Sequence, residues 1–456
     1  MAPYATLLII IGIGGLFWLD RRDGWTSKAN VVPFFWLLIA MSRPVTSWTS
    51  SPSSVAERSA SYLEGSPIDR SILIVLIALA GITLWNRRQA TLAILRGNAP
   101  IILFLLYCLA SVTWADVPVV AFKRWIRAVG DVMMILVILT DRYPDVALKS
   151  VLSRVGYVLV PLSILFIRFF PELGRAYSIG GRPMWTGVCT DKNGLGAICM
   201  IVGAVVLWRW INTYSVKDLV HRTAQLTALT AMLLMIGYLL SIVDSKTALM
   251  CFVFASVVVL WRGLFKRPWA VFSFVVGTVA VCYAVLIEGV AGEALEAIGR
   301  DPTLTGRTDV WQRVLSFVQN PWFGYGYESF WMGPRLQALN SWGGNTAHNG
   351  YLEIYVNLGW VGLFFLGIVI LGGYRHLIAS IKANPDMGRL KLAFYVIALT
   401  YNFSEAAFKM MMPVWLMFLW ATIAEPASRI VSVPQKRSFK PIVTHTFVPR
   451  TRVKVG

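Results

Sequence analysis

The sequence predicts an all-α, polytopic integral membrane bundle of about 11–13 transmembrane helices, since a helix satisfies its own backbone hydrogen bonds within one span. Two observations carry this. Of 456 residues, 57% are hydrophobic and only 14% charged, against about 25% charged in soluble domains. Mean hydropathy is +0.63. These values exclude a soluble enzyme, a disordered tail protein and a secreted disulfide scaffold. The net charge of +19 does not indicate nucleic acid. The basic residues are scattered through short loops, with no RNA-binding or zinc-finger signature beside them.

A span needs roughly 20 apolar residues. Thirteen candidate runs lie at about 4–19, 31–42, 71–86, 99–114, 125–140, 152–169, 194–211, 224–241, 247–261, 268–287, 351–374, 392–404 and 410–424. The first has no basic residue before it and no small-residue cleavage site, so it reads as a retained span. The second is short enough to be re-entrant. Basic residues then orient the bundle by the positive-inside rule. One alternating set of loops, with the C-terminal tail, holds 25 Lys and Arg; the other set holds 15 despite including the three longest connections. The tail is therefore expected in the cytoplasm and the N-terminus outside. The outer loops are about 43–70, 115–124, 170–193, 242–246, 288–350 and 405–409. The longest, 288–350, is the expected functional loop. No internal repeat supports a transporter built from inverted halves. The chain divides into a bundle at 1–240, a central region at 241–375, helices at 376–428 and a basic tail at 429–456.

Of the five cysteines, only Cys189 falls in a loop, and no CxxC occurs, so neither disulfides nor a cysteine metal site is expected. There is no P-loop, dinucleotide fingerprint, HExxH or Gly-x-Ser-x-Gly elbow. No cofactor is implied. No outer Asp-x-Asp supports a metal-bound sugar nucleotide. Asp131 is the main acid within the spans, fewer than proton-driven transport usually needs.

Among four histidines, only His348 is expected outside, where the long loop enters a helix. It reads either as an interfacial helix cap or as a general base, since an imidazole with a pKa of about 6.5 accepts a proton near neutral pH. Arg307 sits at a helix start, a position that favours anions. It reads as a snorkelling surface residue or, with the helix terminus, as a phosphate site. Lys246 lies in a short outer turn and either pairs with Asp244 or serves function. Arg168, Arg175, Arg182 and Lys192 make the 170–193 loop basic, suiting a diphosphate or anionic lipid headgroups. The turn Asn320–Tyr327 combines glycines and aromatics.

The order Gly306-Arg307…Trp311, Gly324-x-Gly326, His348-Asn349 and Gly359 resembles the O-antigen ligase and polysaccharide polymerase superfamily. Ser245-Lys246-Thr247-Ala248-Leu249 resembles the start of its conserved block, where many members have Ser-Arg. The resemblance is densest over about 241–375. Ser111 to Asp116, Arg124-Trp125 and Asp191 to Gly196 look like the exopolysaccharide polymerase branch, of the succinoglycan type. The resemblance implies a bacterial inner-membrane glycosyltransferase with a periplasmic active site. Its substrate would be undecaprenyl-diphosphate-linked oligosaccharide, without a metal. A chain-length regulator and export proteins would be candidate partners beside membrane lipids. By the same resemblance, His348 takes the proton from an acceptor hydroxyl, and Arg307 and Lys246 bind the diphosphate and stabilise leaving charge. Lys246 departs from the commoner Arg and lacks a bidentate fork, so the basic 170–193 loop (Arg175, Arg182, Lys192) becomes a second diphosphate candidate. Asn349 is expected to cap or orient. A ligase that uses a lipid A core as acceptor remains open. So does a flippase or exporter of lipid-linked glycan, which would need basic residues deep in the spans; Arg127 and Arg154 come nearest to that.

Overall fold

The computed structural model describes residues 2–21, 27–49, 66–177, 181, 183–214, 219–261, 263, 267–286, 307–340 and 346–424. Each of the thirteen apolar runs carries a helix. In chain order the helices are α1 (Ala2–Arg21), α2 (Val31–Ala40), α3 (Pro67–Asn86), α4 (Arg88–Arg96), α5 (Ala99–Ala110), α6 (Pro118–Leu139) and α7 (Pro144–Phe169). There follow α8 (Lys192–Thr213), α9 (Leu219–Val243), α10 (Lys246–Leu260) and α11 (Pro268–Leu286). The long loop contributes α12 (Arg307–Ser316) and α13 (Gly333–Asn340), and α14 (Gly350–Ala383), α15 (Pro385–Tyr401) and α16 (Pro413–Thr422) close the bundle. A small antiparallel pair, β1 (Arg175–Tyr177) and β2 (Pro183–Trp185), sits in the 170–193 loop with Ala176 opposite Met184.

The chain is a multi-pass membrane protein. Among the described residues, six helices (α1, α3, α7, α8, α9 and α14) are long and apolar enough to cross a membrane. The pair Arg88–Arg96 and Ala99–Trp114, bent by 89°, makes a seventh if it is one span. α2, α10, α11 and α16 are apolar but shorter. The expectation of 11–13 counted these short helices, as well as α15, which covers most of the run 392–404, and α6, which carries Lys123, Arg124, Arg127 and Asp131.

Helix starts follow local chemistry. Proline stands in the first turn of α3, α5, α6, α7, α15 and α16, where its missing N–H costs nothing. Ser66 caps α3 and Asp191 caps α8 through their side-chain oxygens. The centre of the bundle is α15, buried at every residue from Met387 to Tyr401, Arg389 and Lys391 included; from Leu392 to Leu399 it is apolar on all sides, as a fully enclosed helix must be. It packs on α10, α14 and α16, and α8 packs on α7, α9 and α10.

Two polar ends bracket this core. At one end the loops expected outside meet. Arg43 donates to Leu173 O, Gly187 O and Cys189 O at 2.7–2.9 Å, and Thr46 Oγ1 donates to Asp69 Oδ2 at 2.5 Å. Arg124 donates to Glu328 O, and Arg335 pairs with Asp116. At the other end Asp20 receives Arg154 Nε at 2.9 Å and Arg209 Nη1 at 3.3 Å, while Asn30 donates to Asp141 at 2.9 Å. Arg154, one of the deep cations that a transporter would use, is therefore held by Asp20.

The Asn320–Tyr327 turn docks into a break in α14. Gly359 has φ 66°, and the freed N–H groups of Trp360 and Val361 donate to Pro321 O and Trp322 O at 2.9 and 3.2 Å. A Cβ on Gly359 would run into the Trp322 backbone, and one on Gly324 would lie 2.5 Å from Asn357 C. These glycines are close-approach positions.

Candidate active site

A cavity of about 810 Å³ opens at the outer-loop end. Its wall joins α2, the start of α3, α6, the start of α8 and the loop between α15 and α16 to His348. The apolar part includes Ile39, Ile72, Leu73, Met411 and Met412. The polar part carries three cations, Arg127, Lys192 and Lys409, and three acids, Asp69, Asp191 and Glu405.

Each acid is engaged by the protein itself. Asp69 accepts from Thr46, and Asp191 caps Gly194 N at 2.9 Å. Glu405 Oε1 accepts from Asn193 Nδ2 at 2.9 Å, and Oε2 lies 3.4 Å from His348 Nδ1. Two of the three cations are less committed. Lys409 Nζ lies 3.6 Å from Glu328 Oε2. Lys192 and Arg127 make no hydrogen bond or ion pair among the described residues. The cavity thus sets two cations without an ion pair among the described residues, Lys192 and Arg127, in one wall with an imidazole, over an apolar floor.

Local structure fixes His348. It adopts φ 48°, in the left-handed region, which costs a non-glycine residue about 1–3 kcal/mol and persists only where its surroundings enforce it. The segment before it is held by Glu353, which accepts Thr346 Oγ1 at 2.9 Å, Ala347 N at 2.7 Å and Trp331 Nε1 at 2.8 Å. The segment after it is held by Gly350 N donating to Asn402 O at 2.8 Å. Asn349 caps α14, accepting from Tyr351 N and Leu352 N at 3.0 Å each. Asp244, Glu328 and Met411 are the other non-glycine residues with positive φ among those described, and all belong to this end of the molecule.

The other expected residues distribute as follows. Arg307 opens α12, and only its backbone is described. One turn later Trp311 Nε1 donates to Ala347 O at 2.7 Å, so the start of α12 is tethered beside His348. Lys246 is 60% exposed, pairs with Asp244 at 3.2 Å and does not line the cavity. Its neighbours do reach the site: Ser245 Oγ donates to Asn193 Oδ1 at 3.5 Å, and Thr247 Oγ1 meets Ser404 Oγ at 2.6 Å. Arg175 donates to Ile167 O at 2.9 and 3.1 Å and stacks on Trp185 at 4.6 Å, away from the cavity lining. Arg182 lies outside the described residues. Lys192 reaches the cavity wall.

Sequence reading passed over Glu405, Lys409 and Asn193 as site residues, and took Arg127 only as a pointer to transport. The available signal was a lone acid, Glu405, in a short outer loop on an acid-poor chain. Arg43 was also missed. Burial holds its guanidinium below its ordinary pKa, against the Cys189 charge that would raise it, yet its role is to gather four carbonyls.

Residues 230–367 match the family described as O-antigen ligase. The exopolysaccharide production protein ExoQ of Rhizobium meliloti is 23% identical over 299 residues, covering 59% of this chain. The chain spans 63% of that relative's length. Of the cavity lining, Thr346 and His348 fall within the family match.

Proposed function

We propose, for a chain whose residues 230–367 match the family described as O-antigen ligase, that it is an exopolysaccharide polymerase of the bacterial inner membrane. It joins undecaprenyl-diphosphate-linked oligosaccharide repeat units on the periplasmic face, without a metal. The observation that carries this reading is His348 backed by Glu405 on the wall of an 810 Å³ cavity that also presents Lys192 and Arg127. A lipid-linked diphosphate needs an apolar floor, cations and a nearby base, and the cavity supplies all three.

His348 removes the proton from the acceptor hydroxyl as its oxygen attacks the anomeric carbon. The bond from that carbon to the diphosphate breaks, and the electron pair leaves with the diphosphate. Cations that bind the departing charge lower the barrier most when they are already in place. Arg307, Lys192 and Arg127 take this role, with Arg182 and Lys246 as further contacts; Lys246 must first leave Asp244. Arg175 and Asn349 act by holding the 170–193 loop and the start of α14. The outer-loop end is periplasmic by the positive-inside bias, and the similarity to an exopolysaccharide production protein favours polymerisation over ligation.

Purified protein in liposomes with chelator, supplied with lipid-linked repeat units, is expected to yield a ladder of longer glycans. Transfer only to added lipid A core would make the protein a ligase. Movement of the lipid-linked glycan across the bilayer, with no new glycosidic bond, would refute glycosyl transfer.

A further inference from the structure

We infer that Glu405 is a positioning residue that fixes the orientation and tautomer of the His348 ring. The inference rests on His348 being the base of the reaction proposed above. Glu405 lies in the loop between α15 and α16, with its side chain 10% exposed. Its two oxygens serve different partners: Asn193 at 2.9 Å and His348 Nδ1 at 3.4 Å. Asn193 is steadied in turn by Ser245 Oγ. A line of contacts thus runs from the start of α10, through the start of α8, to the histidine at the head of α14.

The backbone around the pair is fastened on both sides. Glu405 N donates to Tyr401 O at 3.0 Å. Asn402 Oδ1 accepts from Ala407 N and Phe408 N at 2.8 and 2.9 Å, and Asn402 O holds Gly350 N. The loop that carries Glu405 and the turn that carries His348 are therefore joined through Asn402. Their separation is set by the fold, not by two free side chains.

The chemical consequence follows from donor and acceptor capacity. An ionised carboxylate only accepts, so the ring hydrogen of neutral His348 sits on Nδ1. Nε2 keeps its lone pair and faces no described partner. When the acceptor hydroxyl loses its proton, that proton goes to Nε2, and Glu405 stabilises the resulting imidazolium. The 3.4 Å separation is the loose end of a hydrogen bond, and such contacts commonly tighten once substrate is bound. The other charged residues that line this cavity are Arg127, Lys192, Lys409, Asp69 and Asp191.

Two readouts test this. In protein labelled with 15N-histidine in alkaline buffer, the His348 ring, assigned by its loss in His348→Ala, is expected to carry hydrogen on Nδ1 and none on Nε2. Glu405→Ala is expected to mix or reverse that pattern; an unchanged pattern would overturn the inference whatever the activity. In the elongation assay, Glu405→Ala is expected to lower kcat by roughly 10²-fold, the lower end for general-base catalysis, with KM for lipid-linked substrate little changed. Glu405→Gln, which keeps an acceptor oxygen and loses the charge, is expected to fall between. Wild-type kcat in Glu405→Ala would overturn the inference while leaving the polymerase reading intact. An inactive wild type would sink that reading, with the 15N pattern still deciding whether Glu405 sets the tautomer.

Discussion

Arg43→Ala should loosen the 170–193 loop without unfolding the bundle, and the effect can be sized from the contacts. Arg43 Nη2 donates to Leu173 O, Gly187 O and Cys189 O at 2.7–2.9 Å, Nε donates to Val188 O at 3.3 Å, and the guanidinium stacks over Trp48 at 4.6 Å. A hydrogen bond to a charged group contributes about 1.5–3 kcal/mol. Four such bonds do not add fully here, because the two hydrogens on Nη2 serve three acceptors and water reaches a half-buried group. A net loss of about 3 kcal/mol is reasonable, which raises the population of the open loop roughly 100-fold. Cys189 reports this directly. It is 3% exposed, and burial pushes its thiol well above its ordinary range, with Asp191 adding to the shift and Arg43 opposing it. Removing Arg43 makes the thiolate still less favourable in the closed loop, so any gain in reactivity must come from exposure. A membrane-impermeant maleimide should label Cys189 about 100-fold faster in Arg43→Ala, and from the outer side. Labelling no faster than wild type would refute the account of Arg43 as the residue that binds this loop together.

Three further predictions follow from the same reasoning. Gly359→Ala should destabilise the protein by several kcal/mol, roughly 2–4, because both φ 66° and the Trp322 backbone oppose a Cβ; a thermal shift in detergent would check it. Asp131→Ala removes the acceptor for Trp36 Nε1 and Met411 N, each at 2.8 Å. It should cost about 2–4 kcal/mol and lower activity by loosening the loop that carries Glu405, both measurable on one preparation. Stability should fall as pH rises above about 9. The folded chain holds the Cys189 proton above its ordinary pKa of 9.0, whereas the unfolded chain releases it there. Cys189→Ala should flatten that part of a stability-against-pH curve.

Much of this was legible in the sequence, for physical reasons that can be named. Runs of apolar residues mark helices, and prolines such as Pro118 and Pro413 mark their starts, because both effects are local. The motifs Ser111 to Asp116, Arg124 and Asp191 to Gly196 stood out, but their purpose did not. Ser111 Oγ accepts from Tyr327 N at 3.0 Å, Arg124 reaches Glu328 O, and Gly196 lets Ser245 approach to 2.8 Å of its would-be Cβ. Such pairings join residues far apart in the chain, and spacing does not encode them. The span number was less legible, because a run such as 410–424 is apolar enough to suggest crossing, yet its helix, Pro413–Thr422, is only 10 residues long. The place of His348 at a helix entry was legible. The contacts of Glu405 with Asn193 and His348 were not, because they depend on the meeting of α8, α14 and the loop after α15.

The central claim is that glycosyl transfer takes place beside His348. Wild type and His348→Ala, matched for folding by chromatography and thermal shift, should be compared in liposomes with lipid-linked repeat units and chelator. Longer glycans are expected from wild type, with a loss of roughly 10²–10⁴-fold in rate for the variant, the range for removal of a general base. Equal elongation by the two proteins would contradict the claim.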